Sequence, residues 1–244
     1  MVRFERRIGS HNRPELHHMS QDVLASGAFI GVADRSNRRG ARPNRFISTA
    51  NVLIALALIL LLLPLLILIA VAIFMEGGGP VLFAHPRIGQ HRRRFPCLKF
   101  RTMVKDADRR LAAVLAQDPV ARGEWEKDHK LRNDPRITAL GALLRRSSLD
   151  ELPQLFNVVR GEMALVGPRP IVEAEVPRYG RRIRHYLSVK PGITGLWQVS
   201  GRNDVAYSAR VAMDCLYVQK KSALLDAWLL VRTIPAVLVR RGSY

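Results

Sequence analysis

The sequence predicts a mainly helical α+β fold that is attached to a membrane by one apolar segment. From Val52 to Met75, 23 of 24 residues are apolar and Pro64 is the exception. A stretch of this length can cross a bilayer. The chain beyond it alternates short strand-like runs with helical patterns. The apolar fraction of 48% excludes a disordered chain, and the formal net charge of +19 indicates an anionic partner.

Composition divides the chain into four parts. We expect a basic, flexible N-terminal tail, a membrane helix, a cytosolic domain with one core, and a C-terminal amphipathic segment, at residues 1–46, 47–76, 77–221 and 222–244. The last segment contains Asp226, Arg232 and Pro235, so it is too broken to cross a bilayer. It either lies in the membrane interface or packs as a core helix.

The apolar segment has two possible topologies. Arginines flank both of its ends, with Arg42 and Arg45 on one side and Arg87 and Arg92 among those on the other, so the positive-inside rule draws both ends to the cytoplasm. Pro64 removes a helix hydrogen bond at the midpoint and favours a bend. Two half-helices that enter and leave by one face would satisfy both features. An ordinary span with a tolerated proline is an equal alternative.

Turn and capping signals predict the elements of the remaining chain. Asp134-Pro135 resembles a helix N-cap followed by a first-turn proline. In chain order we expect strands at Val81–Ala84 and Phe95–Phe100, a helix at Asp106–Gln117, a helix after Pro135, a helix near Leu152–Arg160, a strand at Ala164–Val166 and a helix at Asp204–Lys220.

The adjacent carboxylates Asp150 and Glu151 are the strongest candidates for chemistry. They follow Arg145 and Arg146 at a predicted helix start, where an ionised carboxylate is favoured. Such a group can attack phosphorus when cations screen the phosphate. The alternative is structural, because Ser148-Leu149-Asp150-Glu151 also matches a capping box.

Further charged residues each have a functional and a structural interpretation. Arg169 lies between two prolines, which suits phosphate binding but also a plain rigid turn. Asp214 falls within an apolar helical stripe, so it needs a metal, a substrate group or an ion-pair partner. Lys99 and Arg101 alternate around Phe100, which would place both cations on one side of a strand or on a solvated face.

Four motifs occur in a characteristic order: KFRTM at 99–103, RRSSLDELPQLFNVVRG at 145–161, MALVGPRP at 163–170 and KPGITGLWQVSGRN at 190–203. With them the chain resembles the bacterial sugar transferases, which are monotopic phosphoglycosyl transferases that act on polyprenyl phosphate. The resemblance covers about Asn51 to Tyr244. It implies a re-entrant membrane helix bent at Pro64, although Leu63 stands where a serine is common in the family.

The resemblance also implies an activity and a location. The expected reaction transfers a sugar 1-phosphate from a UDP-sugar to undecaprenyl phosphate through a covalent aspartyl intermediate and releases UMP, which begins exopolysaccharide assembly. The expected partners are anionic inner-membrane lipid and downstream membrane glycosyltransferases, without nucleic acid. The catalytic domain would lie on the cytoplasmic face of the bacterial inner membrane.

The resemblance implies roles for particular residues of this chain. Asp150 falls on the nucleophile and Glu151 on its partner carboxylate, and both would hold Mg²⁺. The substrate-binding positions are Lys99, Arg101, Arg145, Arg169, Asp214 and Asp226.

Two other classes of protein remain as alternatives. Asp106-Ala107-Asp108 matches the D-x-D by which many glycosyltransferases bind a divalent metal, and such an enzyme would release UDP. A membrane-tethered nucleic-acid binder would explain the net charge but would leave Asp150, Glu151 and Asp214 without a role.

Overall fold

The computed structural model describes residues 45–128, 131–201 and 205–238, and the predicted flexible tail lies outside these ranges up to residue 44. The described chain is mainly helical and contains two small two-stranded sheets, which confirms the predicted α+β class. Its helices are α1 (Arg45–Gly77), α2 (Ala107–Gln117), α3 (Pro119–Asp128), α4 (Ala139–Ser147), α5 (Gln154–Val159), α6 (Val176–Tyr179), α7 (Ile183–Leu187), α8 (Leu196–Ser200), α9 (Tyr207–Lys220) and α10 (Ala223–Leu238). Its strands are β1 (Leu82–Ile88), β2 (Arg94–Phe100), β3 (Ala164–Val166) and β4 (Gly192–Thr194).

Helix α1 contains the whole apolar segment and continues through Pro64. By length and composition alone, Ser48–Gly77 could cross a membrane, and only 17% of its most apolar window is buried. The side chains of Leu60 and Leu61 are about three-quarters exposed. A core helix would bury such residues, so this surface is suited to lipid.

The other face of α1 packs against the rest of the protein along its length. Ala55, in its first half, joins a buried cluster that includes Leu155 of α5 and Leu229 of α10. Ile73, in its last turn but one, joins a second cluster with Phe100 of β2 and Leu144 of α4. Both halves of the helix therefore contact the same domain.

Strands β1 and β2 form an antiparallel hairpin in which Leu82 pairs with Phe100 and Ile88 pairs with Arg94. The first strand is longer than the predicted Val81–Ala84, because the ladder continues through Pro86, which pairs with Pro96. Neither proline can donate a backbone hydrogen bond, which suits a two-stranded edge.

The second sheet pairs β3 and β4 in parallel, with Ala164 opposite Gly192 and Val166 opposite Thr194. The segment that leaves β3 closely approaches the segment that enters β4, and a Cβ on Gly167 would lie 2.6 Å from the Lys190 carbonyl oxygen. The glycines in the GPRP and KPGITG motifs thus permit a backbone contact that no larger residue allows.

The predicted start of the helix after Pro135 was wrong. Helix α4 begins at Ala139, and Thr138 caps it by accepting a hydrogen bond from the Gly141 amide at 2.9 Å. Asp134 instead forms a buried ion pair with Arg136 at 2.7 Å. An arginine two residues away outcompetes the helix end for this carboxylate because the charged pair is stronger than a cap. Helices α3, α6, α7 and α8 and strand β4 were not predicted from the sequence.

Helix α10 combines the two interpretations of the C-terminal segment. Leu229 is fully buried in the cluster that contains Ala55, whereas Leu224, Val231 and Ile234 are more than 60% exposed. One face of the helix is therefore part of the core and the other is an unpaired apolar surface.

Candidate active site

The Asp150–Glu151 pair lies in a 3₁₀ turn, Leu149–Glu151, immediately after α4. Ser148 ends α4 in the left-handed conformation, with φ of 58°, and its side chain makes no capping hydrogen bond. The proposed capping box at Ser148–Glu151 is therefore wrong, since the Glu151 carboxylate binds elsewhere. The sharp turn separates this pair from both α4 and α5 and leaves both carboxylates free to face other segments.

Glu151 is held by two cations from distant parts of the chain. Its Oε1 accepts a hydrogen bond from Lys99 Nζ at 2.7 Å and another from Arg169 at 3.2 Å. Burial acts to raise the pKa of Glu151, but Arg169 and Lys99 outweigh it and hold the pKa at about 2. Glu151 is consequently ionised at every physiological pH.

Asp150 occupies a different environment although it is the neighbouring residue. It is buried, and its Oδ2 lies 3.7 Å from Lys99 Nζ, beyond hydrogen-bond distance. Burial, together with the charge on Glu151, raises its pKa even though Lys99, Arg145 and Arg169 act in the opposite direction. The pair therefore consists of one anchored carboxylate and one that makes no close ion pair.

Arg145 and Arg169 reach the pair from two sides. Arg145, in the last turn of α4, donates to Thr102 Oγ1 at 2.8 Å and interacts electrostatically with Asp150. Arg169 extends from the turn after β3, which the Gly167 contact with β4 fixes in place. The structure thus brings together Lys99, Arg145, Asp150, Glu151 and Arg169, while their roles in catalysis and substrate binding stay predictions.

A small cavity beside the pair contains residues that the sequence interpretation missed. It is lined by Arg87, Cys97, Lys99, Gln154, Arg169, Pro170 and Ile193. The functional side chains that were missed are Arg87 and Gln154, and the spacing of each along the sequence could have indicated it. Arg87 shares a face of the hairpin with Phe83, the cross-strand partner of Lys99, and Gln154 follows Asp150 by about one helical turn.

Comparison with known proteins gives this arrangement a context. Residues 44–240 match the family model described as bacterial sugar transferase, which is most of the chain. The chain belongs to the bacterial sugar transferase family.

Several curated relatives have names that state an activity. The chain is 56% identical over 167 residues to the undecaprenyl-phosphate galactose phosphotransferase of Salmonella typhimurium, covering 68% of this chain and 35% of that protein. It is 52% identical to the exopolysaccharide production protein ExoY of Sinorhizobium fredii, covering 68% and 74%. It is 40% identical to the undecaprenyl-phosphate glucose phosphotransferase of Komagataeibacter xylinus, covering 72% and 32%. The chain thus spans about a third of the length of several of its curated relatives.

The donor set of this sugar transferase fits a magnesium ion. Magnesium is usually held by one or two carboxylates, with substrate phosphates and water completing its coordination. Asp150 and Glu151 supply two carboxylates, of which one oxygen already binds Lys99 and Arg169. Among the described residues no group of three or more His, Cys, Asp or Glu side chains is placed to hold a metal, so phosphate and water would have to supply the remaining ligands.

Arg101 lies near this site in sequence but binds a different part of the protein. Its guanidinium donates to the Gly78 carbonyl at 2.7 Å and to the Ile73 carbonyl at 3.2 Å. Both carbonyls lie at the C-terminal end of α1, where a cation is favourable. Arg101 follows the end of β2, so it is not held beside Lys99 by the strand. The structure therefore gives Arg101 a role in fixing the C-terminal end of α1.

Asp214 is buried, as its position in an apolar stripe predicted, but its partner is not an arginine. Tyr179 donates a hydrogen bond to its Oδ2 at 2.7 Å, and its Oδ1 has no partner among the described residues. Burial raises the pKa of Asp214 to about 7, and the bond from Tyr179 opposes this shift. No contact in the described part of the chain joins Asp214 to Asp150, so its assignment to substrate stays a prediction.

Asp226 is likewise held by a tyrosine. The Tyr217 hydroxyl lies 2.7 Å from Asp226 Oδ1 and 3.0 Å from the Val166 carbonyl oxygen. These bonds connect α10, α9 and β3, and burial raises the pKa of Asp226. The contacts give Asp226 a structural role, and its binding of substrate is also untested.

The D-x-D sequence has a local explanation. Asp106 accepts hydrogen bonds from Arg109 and Arg110, both at 3.1 Å, one turn further along the chain. This exposed carboxylate supports the start of α2 through ion pairs that are typical of a helix surface. The contacts do not favour the glycosyltransferase alternative.

Proposed function

We propose that the protein transfers a sugar 1-phosphate from a UDP-sugar to undecaprenyl phosphate, with release of UMP, through a covalent intermediate on Asp150. The proposal extends to this chain what the names of its relatives state. The lipid-linked product would serve downstream membrane glycosyltransferases in exopolysaccharide assembly. The observation that carries the proposal is the placement of two adjacent carboxylates among cations: Glu151 binds Lys99 at 2.7 Å and Arg169 at 3.2 Å, while Asp150 lies 3.7 Å from Lys99.

The opposite pKa shifts of this pair assign a separate role to each carboxylate. A raised pKa marks a more basic oxygen, and Asp150 has no close ion pair to occupy it, so it suits a nucleophile. An oxygen of Asp150 forms a bond to the phosphorus that carries the sugar, and the bond from that phosphorus to the bridging oxygen breaks. UMP leaves with the electron pair. Undecaprenyl phosphate then attacks the same phosphorus and frees Asp150.

The cations stabilise the negative charge that moves between phosphate oxygens during this reaction. Glu151 fixes Lys99 and Arg169 at 2.7 and 3.2 Å, so both point toward the site before substrate arrives. Arg145, at the end of α4, interacts electrostatically with Asp150. Preorganised donors of this kind stabilise a transition state without further rearrangement. A magnesium ion held by Asp150 and Glu151 would add charge stabilisation for the diphosphate.

Contacts at both ends of α1 support a re-entrant topology. Near one end, Asn51 Oδ1 accepts a hydrogen bond from the Leu165 amide at 2.8 Å. At the other, Glu76 Oε1 accepts one from the Leu140 amide at 3.2 Å. A helix that crossed the bilayer would place these residues on opposite sides, whereas both bind the same domain. We therefore propose that α1 enters and leaves by the cytoplasmic face, with Pro64 providing the bend.

The exposed apolar surfaces favour a position at the bilayer. The outer face of α10 presents Leu224, Trp228, Val231 and Ile234, and Arg232 stacks on Trp228 at 5.2 Å. An arginine beside a tryptophan suits the headgroup region of anionic lipid. We propose that α10 lies in the interface of the bacterial inner membrane, which brings the site to the depth of the undecaprenyl phosphate headgroup.

A lipid-free reaction tests the proposal. Purified protein with magnesium and each of a panel of UDP-sugars should release UMP in an amount limited by enzyme, and it should gain the mass of one sugar phosphate. Asp150→Asn should abolish the burst and the adduct because an amide cannot attack phosphorus. The matched control Asp106→Asn should leave both nearly unchanged. Release of UDP, or normal turnover by Asp150→Asn, would contradict the proposal.

A further inference from the structure

The cavity beside Glu151 is strongly positive. Three of its lining side chains are cations, Arg87, Lys99 and Arg169, and none of the described lining residues is acidic. Lys99 and Arg169 share the Glu151 carboxylate. Arg87 adds a charge that this carboxylate does not neutralise, so the cavity is suited to a further anionic group.

Arg87 is held in place by backbone rather than by a close ion pair. Its Nη1 donates to the Pro170 carbonyl at 3.1 Å, and Glu175 Oε2 lies 3.7 Å away. Burial and the adjacent guanidinium of Arg169 lower the pKa of Arg87. Two guanidiniums that face one cavity repel each other unless an anion lies between them.

Gln154 provides a second, independent indication of a ligand. Its side chain lines the same cavity and is 3% exposed, yet it forms no hydrogen bond with any residue in the described ranges. Its polar atoms are therefore available to a molecule that enters the cavity.

The order of the cations indicates which part of the substrate binds there. Lys99 and Arg169 line the cavity and also contact the carboxylate pair. Arg87 lines the same cavity, but its guanidinium lies 3.1 Å from the Pro170 carbonyl oxygen and 3.7 Å from Glu175. Among the described residues Arg87 therefore has no ion pair with Asp150 or Glu151, and it is placed to bind a second phosphate of the same substrate. In a nucleoside diphosphate sugar, the phosphate next to the reacting one belongs to the nucleotide.

We propose that Arg87 and Gln154 bind the nucleotide phosphate, which leaves as UMP. This inference rests on the proposed function and names two further residues for its first half-reaction. When Asp150 bonds to the sugar-bearing phosphorus, the broken bond leaves its electron pair on an oxygen of UMP. The Arg87 guanidinium and the Gln154 amide donate hydrogen bonds to that phosphate and stabilise the charge it gains.

The test uses UMP as the probe and the full chain in detergent or nanodiscs. UMP affinity is measured directly by calorimetry, and the two half-reactions are followed separately. Gln154→Met and Arg87→Gln should each weaken UMP binding about tenfold to a hundredfold, the usual loss for a hydrogen bond to a charged group. Lipid-free UMP release should slow in parallel. Transfer from preformed adduct to undecaprenyl phosphate should keep its wild-type rate, because UMP has already left.

Two controls keep the test decisive. Arg94→Gln removes an exposed guanidinium of the same hairpin that pairs with Glu173, and it should leave UMP affinity unchanged. Gln154→Met breaks no hydrogen bond within the described protein, so its fold should survive even if Arg87→Gln loosens the Pro170 turn. Wild-type UMP affinity in either folded variant would overturn the inference. Failure of the wild-type protein to release UMP would instead overturn the proposed function.

Discussion

Asp150 and Glu151 are consecutive residues whose carboxyl pKa values shift in opposite directions. Glu151 binds Lys99 at 2.7 Å, while the same ammonium lies 3.7 Å from Asp150. One turn of 3₁₀ helix therefore contains both an anchoring carboxylate and one that is free to react. This difference leads directly to a test of pH dependence.

The rate of the lipid-free UMP burst should fall as pH decreases through the raised pKa of Asp150, because a protonated carboxyl is a poor nucleophile. Glu151→Gln removes a negative charge that raises this pKa and frees Lys99 to approach Asp150. The midpoint of the acid limb should therefore move to lower pH, as measured by rapid quench between about pH 4 and pH 8. A midpoint that stays in place or rises would show that Asp150 is not the titrating group.

Replacing Lys99 by methionine should mainly reduce catalysis, whereas replacing Arg101 by methionine should mainly reduce the stability of the fold. Lys99→Met should reduce the UMP burst rate by about a hundredfold while the protein stays folded. Arg101→Met leaves the Ile73 and Gly78 carbonyls without their donor, so it should lower the free energy of unfolding by about 1–3 kcal/mol. Its burst per folded molecule should be close to that of the wild type. A higher KM for UDP-sugar with unchanged stability would instead place Arg101 on the substrate.

Asp214 should make the stability of the protein depend on pH. Its pKa is about 7 in the folded chain, against about 3.9 for an unfolded aspartate. The bound proton contributes to the free energy of unfolding. This contribution is complete below about pH 4 and is lost as pH rises to about 7. Asp214→Asn does not titrate, so its stability relative to wild type should rise by about 1.4 kcal/mol per pH unit across this window.

Chemical denaturation in detergent at several pH values measures this difference. Tyr179→Phe serves as the companion variant, because loss of its hydrogen bond should raise the pKa of Asp214 further and extend the window upward. If Asp214→Asn lost turnover while its stability kept the wild-type pH profile, a direct role on substrate would be the better explanation.

The topology predicts that both ends of α1 are accessible from one side. Ser48 and Pro80 are exposed and flank the apolar segment, and the native cysteines Cys97 and Cys215 are buried. Ser48→Cys and Pro80→Cys should both react with an impermeant maleimide in inside-out vesicles and neither in right-side-out vesicles. Pro64→Ala should move some molecules toward a true span, because the helix regains its missing hydrogen bond. Labelling of the two cysteines from opposite sides would exclude the re-entrant helix.

Local sequence patterns were sufficient to predict those structural features that depend on residue type and short-range spacing. The apolar segment, the hairpin, the burial of Asp214 and the family motifs were all predicted on that basis. The start of α4 was not, since Asp134 is a good cap by type but lies beside an arginine that binds it more strongly. Short helices such as α6 and α7 have too few residues to show a period.

The sequence by itself determined that this protein has an apolar helix long enough to cross a membrane and a carboxylate pair close to arginines, because those features are encoded in continuous stretches. Only the tertiary structure decided which cation meets which carboxylate. Lys99 binds Glu151 across 52 positions, and Arg87 reaches Pro170 across 83. Such pairings follow from strand register and from how the hairpin packs on the turn after β3. The same packing directed Arg101 to the C-terminal end of α1 and Asp214 to Tyr179, because a charged side chain takes the partner that folding brings within reach.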